Sequence, residues 1–285
     1  MNFRNIIKRL FPGLVRLYGL VPFYSIYTAI REQRLLMLKN ILEKIVPDIT
    51  HQYSSFDIDN DYLRTSIRAQ HAFQMSLVNE ALSSPLFSLK EPLTIVDIGD
   101  SAGSHIQYIK ELYKNRNIRS MSVNVDSEAV KRIRKIGLEA IQARAEDLAS
   151  LSVKADIFLS FELLEHLMNP FEFLNKISNT PCKFLIITVP YLANSRVGLH
   201  HIRNNQKHNV NQENTHILEL SPEDWRLIFK HSGWTIITEK IYYQYPKKSI
   251  FSFWLKRYWR RYDFEGFYGA ILKPDKTWRE LYNGW

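Results

Sequence analysis

The sequence predicts an α/β chain in which a largely parallel sheet over residues 91–285 is covered by helices and preceded by a helical region over residues 1–90. Three observations carry this. Apolar residues in the first ninety positions recur at helical spacing. From Leu93 onward, short apolar runs alternate with helical segments, the pattern of βαβ units. No internal repeat or low-complexity tract points to an array instead.

Thr28 to Val46 reads as one amphipathic helix stopped by Pro47, and Asp61 to Leu82 reads as a second. Ser83-Ser84-Pro85 and Lys90-Glu91-Pro92 punctuate the approach to the main domain. The runs Leu93 to Ile98, Ser120 to Val125, Leu138 to Ala143, Ala155 to Phe161 and Phe184 to Val189 read as buried strands. Helices are expected from about Ser104 to Tyr113, Ser127 to Lys135 and Pro170 to Ile177. Trp234 to Tyr243 and Phe267 to Leu272 complete seven strands, with no long crossover helix of the usual kind between them. Residues 247–262 form a basic and aromatic insertion there. Wound as a helix, it puts Phe251, Trp254, Leu255, Tyr258 and Tyr262 on one face and Lys256, Arg257, Arg260 and Arg261 on the other, with Trp259 at the apolar edge.

The 285 residues are 45% hydrophobic, an ordinary globular share that argues against disorder. A single cysteine, Cys182, excludes an intramolecular disulfide and any CxxC zinc site, so a cytoplasmic location is expected. The net charge of +9 favours anionic partners: nucleic acid, an anionic membrane surface, or phosphorylated and acidic substrates. No apolar run approaches the roughly 20 residues that span a bilayer. The nearest, Phe11 to Ile30, is interrupted by Pro12, Gly13, Arg16, Gly19 and Pro22 and lacks a cleavage signal. Arg4, Lys8, Arg9 and Arg16 among apolar residues echo the 247–262 insertion. Both ends are expected to meet at one surface, peripheral at the inner face of a membrane.

The chemistry-bearing segment is Asp97-Ile98-Gly99-Asp100-Ser101-Ala102-Gly103, where a strand hands over to a helix. Glycines there let the backbone turn tightly against a ligand, and a helix N-terminus offers free N–H donors. A nucleotide-type site also needs an acid about 20 residues on for the ribose hydroxyls. Asp126, at the end of the second strand, is the candidate acid, and it equally suits the N-cap of the next helix.

The glycine segment resembles motif I of class I S-adenosylmethionine-dependent methyltransferases, with Gly99 and Gly103 matching, Ser101 in place of the middle glycine, and Asp100 where a small residue is usual. Ser160-Phe161-Glu162-Leu163-Leu164-Glu165-His166-Leu167 followed by Asn169-Pro170 closely resembles a signature of small-molecule, quinone and sugar methyltransferases. The resemblance runs from about Leu93 to Lys273 and takes in Ile186-Ile187-Thr188-Val189-Pro190 and Ser232-Gly233-Trp234. It implies a Rossmann-like seven-stranded methyltransferase sheet ending in an antiparallel pair. It also implies S-adenosylmethionine as cofactor and S-adenosylhomocysteine as product. By it, Asp97, Gly99, Ser101 and Gly103 shape the methionine end, Asn124 or Asp126 faces the ribose, Glu146 faces the adenine, and Phe161 and Glu162 also bind the cofactor.

Methyl transfer to a hydroxyl needs alignment, exclusion of water and removal of a proton. Glu162, Glu165 and His166 share one face at i, i+3, i+4, and His216 adds a second imidazole. His166 or His216, with Glu165, is the expected catalytic set. Glu162, Glu165, His166 and His216 also resemble the set that holds a divalent metal in small-RNA 2′-O-methyltransferases and some quinone-biosynthesis methyltransferases. Many relatives keep the Glu-His pair without metal. His200 and His201 are weaker candidates in the loop after the fifth strand, and His105 only begins a helix. No Asn/Asp-Pro-Pro-Tyr motif follows the fourth strand, which favours an oxygen acceptor over nitrogen. The function expected is O-methylation of a sugar, a glycolipid or surface glycan, or a related metabolite. RNA ribose 2′-O-methylation and a catalytically silent cofactor-binding scaffold are the alternatives.

Overall fold

The computed structural model describes residues 12–87, 91–148, 151, 153–197, 210–211, 213, 215–262 and 264–282, with backbone alone for 12–19 and 262. His200, His201, Asn214, Arg4, Lys8 and Arg9 lie outside the described residues. No described helix is long and apolar enough to cross a membrane.

The predicted helix from Thr28 to Val46 is instead two, α1 (Pro12–Glu32) and α2 (Leu36–Ile45). Arg34 takes a left-handed φ of 60°, and the Leu35 amide reaches back to the Ile30 carbonyl at 2.9 Å, the bond that closes a left-handed helix stop. A tertiary contact fixes the break. Gln33 Nε2 donates to the Tyr243 carbonyl at 2.8 Å, and the Tyr243 amide donates to Gln33 Oε1 at 2.9 Å. Apolar spacing alone carries no sign of that pairing. Helix α3 (Asp61–Leu82) starts where the sequence places it, capped by Asn60, whose side chain accepts from the Leu63 amide at 2.8 Å.

The remaining elements follow as β1 (Leu93–Ile98), α4 (Ser104–Leu112), β2 (Ile118–Asn124), α5 (Ser127–Lys135), β3 (Glu139–Gln142), β4 (Ile157–Phe161), α6 (Pro170–Ser178) and β5 (Phe184–Tyr191). A short antiparallel pair, β6 (Arg196–Val197) and β7 (Leu218–Glu219), precedes α7 (Pro222–His231), β8 (Trp234–Tyr243), α8 (Ser252–Tyr262) and β9 (Gly266–Pro274). The main sheet has the order β3-β2-β1-β4-β5-β9-β8. Strands β1 to β5 are parallel, and β9 runs antiparallel to both β5 and β8. This is the Rossmann-like methyltransferase sheet expected from the motifs. Strands β5 and β9 outrun their predicted limits because they pair as far as Tyr191↔Gly266 at one end, and β9 pairs with β8 as far as Trp234↔Pro274 at the other.

Alternate side chains of each strand bury on opposite faces. Ile95, Ile157, Ile186 and Ile271 join Phe73 and Leu77 of α3 in one core cluster. Val96, Phe158, Leu185 and Leu272 join Phe173, Trp225 and Trp234 in the other. The N-terminal helices thus cover one sheet face.

The insertion is helical, but its buried stripe differs from the one expected. Leu255 and Trp259 are buried, whereas Phe251 and Trp254 are exposed. Trp259 is an anchor, not an edge: its Nε1 donates to Ser25 Oγ at 3.0 Å, and its ring stacks on Tyr62 with centroids 6.3 Å apart. The wheel grouped Phe251, Trp254 and Leu255, but packing on α1 and α3 buries a stripe rotated toward Trp259 and leaves Phe251 and Trp254 outside it.

Candidate active site

Strand β1 lies between β2 and β4, so the chain leaves the sheet in opposite directions from its centre. A crevice opens at the carboxyl ends of β1 and β4, where open α/β sheets hold ligands. The crevice is a cavity of about 1080 Å³. That is at the upper end of the roughly 300–1,000 Å³ typical of small-molecule sites. Of the residues assigned from sequence, Asp97, Gly99, Ser101, Asn124, Asp126, Glu146, Phe161, Glu162, Glu165, His166 and His216 all line it. Gly103 does not. It is buried behind the turn at the entrance to α4.

The turn itself requires its glycines. Gly99 and Gly103 have φ of +94° and +75°, and a β-carbon at Gly103 would fall 2.8 Å from Leu138 Cδ1. Asp100 folds back across the turn. Its Oδ1 accepts from the Gly103 amide at 2.9 Å and the Ala102 amide at 3.3 Å, and its Oδ2 accepts from Ser122 Oγ at 3.2 Å. Burial, then the neighbouring Asp97, pushes the Asp100 carboxyl up to about 6.

His105 does more than begin a helix. It lies in the first turn of α4, buried, with Nδ1 2.8 Å from Asp97 Oδ2 and Nε2 3.0 Å from Gln74 Oε1. Burial opposes its charge, but Asp97 outweighs it and the imidazole pKa is raised. Gln74 also donates to Thr188 Oγ1 at 3.1 Å, so α3 is tied to the sheet inside the site.

Both polar ends of Asn124 are engaged: Nδ2 donates to the Asp100 carbonyl at 3.1 Å, and Oδ1 accepts from the Asp126 amide at 2.8 Å. Asp126 is the N-cap of α5, its Oδ1 accepting from the Glu128 amide at 2.9 Å, while its Oδ2 accepts from Ser54 Oγ at 2.5 Å. Glu146 sits in a 3-10 turn (Ala145–Asp147) with Arg144 Nη2 3.4 Å away. Phe161 meets the His105 ring edge-on at 5.0 Å.

The sequence reading missed the segment from Gln52 to Phe56, which crosses the cavity. Ser104 Oγ donates to Gln52 Oε1 at 2.6 Å, and Tyr53 stacks on Phe56 at 4.7 Å. The amides of Ser54 and Ser55 donate to the Glu213 carboxylate at 2.7 and 2.6 Å. Arg132 Nη2 also holds Ser54, donating to its Oγ at 2.7 Å and to the Ser101 carbonyl at 3.1 Å. These partners are distant in the chain and the segment has no periodicity, so no local signal marks it.

At the other end of the cavity Glu162 has a left-handed φ of 50°, a strained value for a non-glycine residue. Burial pushes its carboxyl up to about 8. Glu165 is fully buried with no hydrogen bond to either oxygen, and burial, then Glu162, drives it well above the carboxylate range. His166 donates from Nδ1 to the Thr215 carbonyl at 3.0 Å, and burial and then His216 push it down to about 4, so it is neutral with Nε2 as an acceptor. The His166 and His216 rings stand edge to face, 4.8 Å apart.

His216 donates from Nδ1 to Glu219 at 2.5 Å, and Glu219 also pairs with Arg196. Burial alone would raise Glu219, but hydrogen bonds from His216 and Arg196 keep it below its ordinary value. The β6–β7 pair sets Arg196 opposite Glu219 and so holds the imidazole in place. Glu219 was not among the sequence candidates, although its spacing of three from His216 was visible.

Among the described residues, two groups of three could hold a cation. Glu165, His166 and His216 bring ligand atoms within 4.8 Å of one another, and so do Asp97, Asp100 and His105. In the second group both oxygens of Asp100 and both nitrogens of His105 are already hydrogen-bonded. In the first, both Glu165 oxygens are orphaned and His166 is neutral, so that donor set fits a divalent metal. Glu162 lies outside it.

By sequence, no family model and no curated protein matches the chain. Solved structures do resemble it. A protein of Galdieria sulphuraria assigned as a sarcosine dimethylglycine methyltransferase superposes with a TM-score of 0.52 at 12% identity, covering 76% of this chain and 88% of that one. The (4+2)-cyclase SpnF gives 0.52 at 12% identity, over 87% and 97%. One is named for methyl transfer and the other for cyclisation, so the shared architecture by itself does not choose the reaction.

Proposed function

We propose that this protein is an S-adenosylmethionine-dependent methyltransferase that methylates an oxygen of a sugar, a glycolipid or a related metabolite. The observation that carries this is a single open cavity. It joins the glycine turn, Asp126 and Glu146 to the Glu165–His166–His216 cluster. The first half has the chemistry of a nucleoside site, and the second has that of a proton-removing site.

S-adenosylmethionine supplies an electrophilic methyl group and its own leaving group, and S-adenosylhomocysteine is the product. The chain supplies the rest. Asp126 and Glu146 offer acceptors to ribose and adenine, Asn124 braces the turn through the Asp100 carbonyl, and the Gln52–Phe56 segment lines the cavity beside them. His216, fixed by Glu219 through Nδ1, presents Nε2 to take the acceptor's proton, the base-and-orienter arrangement of acyl-transfer enzymes. His166, held neutral, accepts a hydrogen bond from the acceptor. In an alternative scheme the same lone pairs of His166 and His216, with Glu165, would instead hold a divalent cation, which would lower the pKa of a substrate hydroxyl in place of the imidazole base.

Titration calorimetry with S-adenosylmethionine and S-adenosylhomocysteine tests the assignment. Binding of both supports it, and absence of both refutes it. Binding of both without methyl transfer would favour the silent scaffold, a reading supported by Asp100, whose carboxyl occupies turn amides. Elemental analysis of the purified protein beside Glu165→Ala tests the cation. Activity unchanged by chelation removes it from the scheme.

A further inference from the structure

We infer that the tip of the β8–α8 connection is a docking surface for an anionic phospholipid bilayer, set beside the mouth of the cavity. Residues 240–262 contain seven lysines and arginines and no acid. At the start of α8, Ile250, Phe251, Phe253 and Trp254 stand 88%, 52%, 66% and 67% exposed. Soluble surfaces rarely keep large apolar side chains this open in one short run. The opposite stripe of the helix, Leu255 and Trp259, is consumed by packing on α1 and α3, so the exposed run is not core awaiting a neighbour within the chain.

Charge selects the partner. Lys240 and Arg260 are paired with Glu80 and Glu265. Among the described residues, no carboxylate pairs with the side chain of Lys247, Lys248, Lys256 or Arg257. Cations flanking a tryptophan and phenylalanines are the chemistry of an interfacial helix, with rings at the acyl boundary and cations among anionic headgroups. A protein partner matching this surface would need an acidic rim around an apolar pocket, whereas a bilayer offers both without shape matching. The contact is peripheral, since no described helix can span a membrane.

The position bears on the site. Trp259, on the buried side of the same helix, stacks on Tyr62, and Tyr62 and Phe264 both line the cavity. A docked α8 therefore brings the cavity alongside the headgroups, where an acceptor carried on lipid would be found. Vesicle binding does not depend on the methyltransferase reading, so either can fail alone.

The test is co-sedimentation of the full chain with vesicles of phosphatidylcholine, alone or mixed with phosphatidylglycerol. Binding is expected to the mixed vesicles, with a blue shift of tryptophan fluorescence, and to be released by high salt. The joint change Lys247→Gln, Lys248→Gln, Arg257→Gln is expected to weaken it by roughly a hundredfold, three surface cations being involved. The pair Phe253→Ser, Trp254→Ser is expected to abolish the blue shift with melting temperature unchanged. No binding, equal binding to both vesicle types, or retention in the Phe253/Trp254 variant would overturn the proposal. So would a dimer in sedimentation velocity that this variant dissolves, because the patch would then join two copies.

Discussion

At the level of single residues, the buried acids make the site sensitive to pH. The fold holds Glu162 near 8 against an ordinary value of 4.5, and Asp100 near 6 against 3.8. In both cases the protonated form suits the fold. Their contribution to stability is complete below the unfolded values and is lost as pH rises through the folded ones. Glu162→Gln and Asp100→Asn cannot ionise. Relative to either variant, the melting temperature of the parent should fall between pH 5 and 8, by about 2–4 °C per kcal/mol for a large domain. Parallel melting curves across that range would show that these groups are not held protonated. Asp126 permits a sharper test of the ribose assignment. Asp126→Asn keeps an oxygen to cap α5 but removes the charge, and a charge-assisted hydrogen bond contributes about 1.5–3 kcal/mol. Affinity for S-adenosylmethionine should fall by roughly tenfold or more. Calorimetry showing equal affinity would move the ribose contact elsewhere.

The elements that decide access to the site are the ones without periodicity. The Gln52–Phe56 segment is held at its middle, Ser54 and Ser55, by Arg132 and Glu213, and nucleoside binding beside it should tighten those contacts. Hydrogen exchange over residues 50–58 should slow when S-adenosylhomocysteine is added, and unchanged exchange would mean the segment does not close on the ligand. Helix α8 gives the complementary case, in which periodicity is clear but rotation is not. Trp259→Ala should cost about 3–5 kcal/mol in urea unfolding, as a buried tryptophan does. Trp254→Ala should stay within about 0.5 kcal/mol. Equal effects would reverse the assignment of the buried face. Both elements show the same limit: a sequence lists what could be buried together, and neighbours far along the chain choose.

For the whole molecule, legibility followed the range of the forces involved. Strands β1 to β5 and their helices were visible because a sheet buried on both faces demands continuous apolar runs, and the breaks between them are local turn chemistry. The glycines of the turn were visible because only glycine tolerates Gly99 and Gly103 as they stand. The residues around the cavity were assigned from motif order, since a parallel sheet brings the carboxyl ends of β1, β2 and β4 to one edge. The helix break at Arg34, the His105–Asp97–Gln74 chain, the Glu219 support of His216 and the segment over the cavity were not visible. Apart from the Glu219–His216 bond, whose partners are only three residues apart, each depends on a hydrogen bond between residues whose separation in the chain says nothing of their distance in space. The sequence by itself determined the succession of strands along the chain, the turn after β1 and eleven of the residues that line the cavity, because backbone geometry and apolar burial act over a few residues at a time. Only the tertiary structure decided which of those side chains are protonated, which are held by a partner and what covers them, because desolvation and directional hydrogen bonds act between groups that meet once the chain has folded.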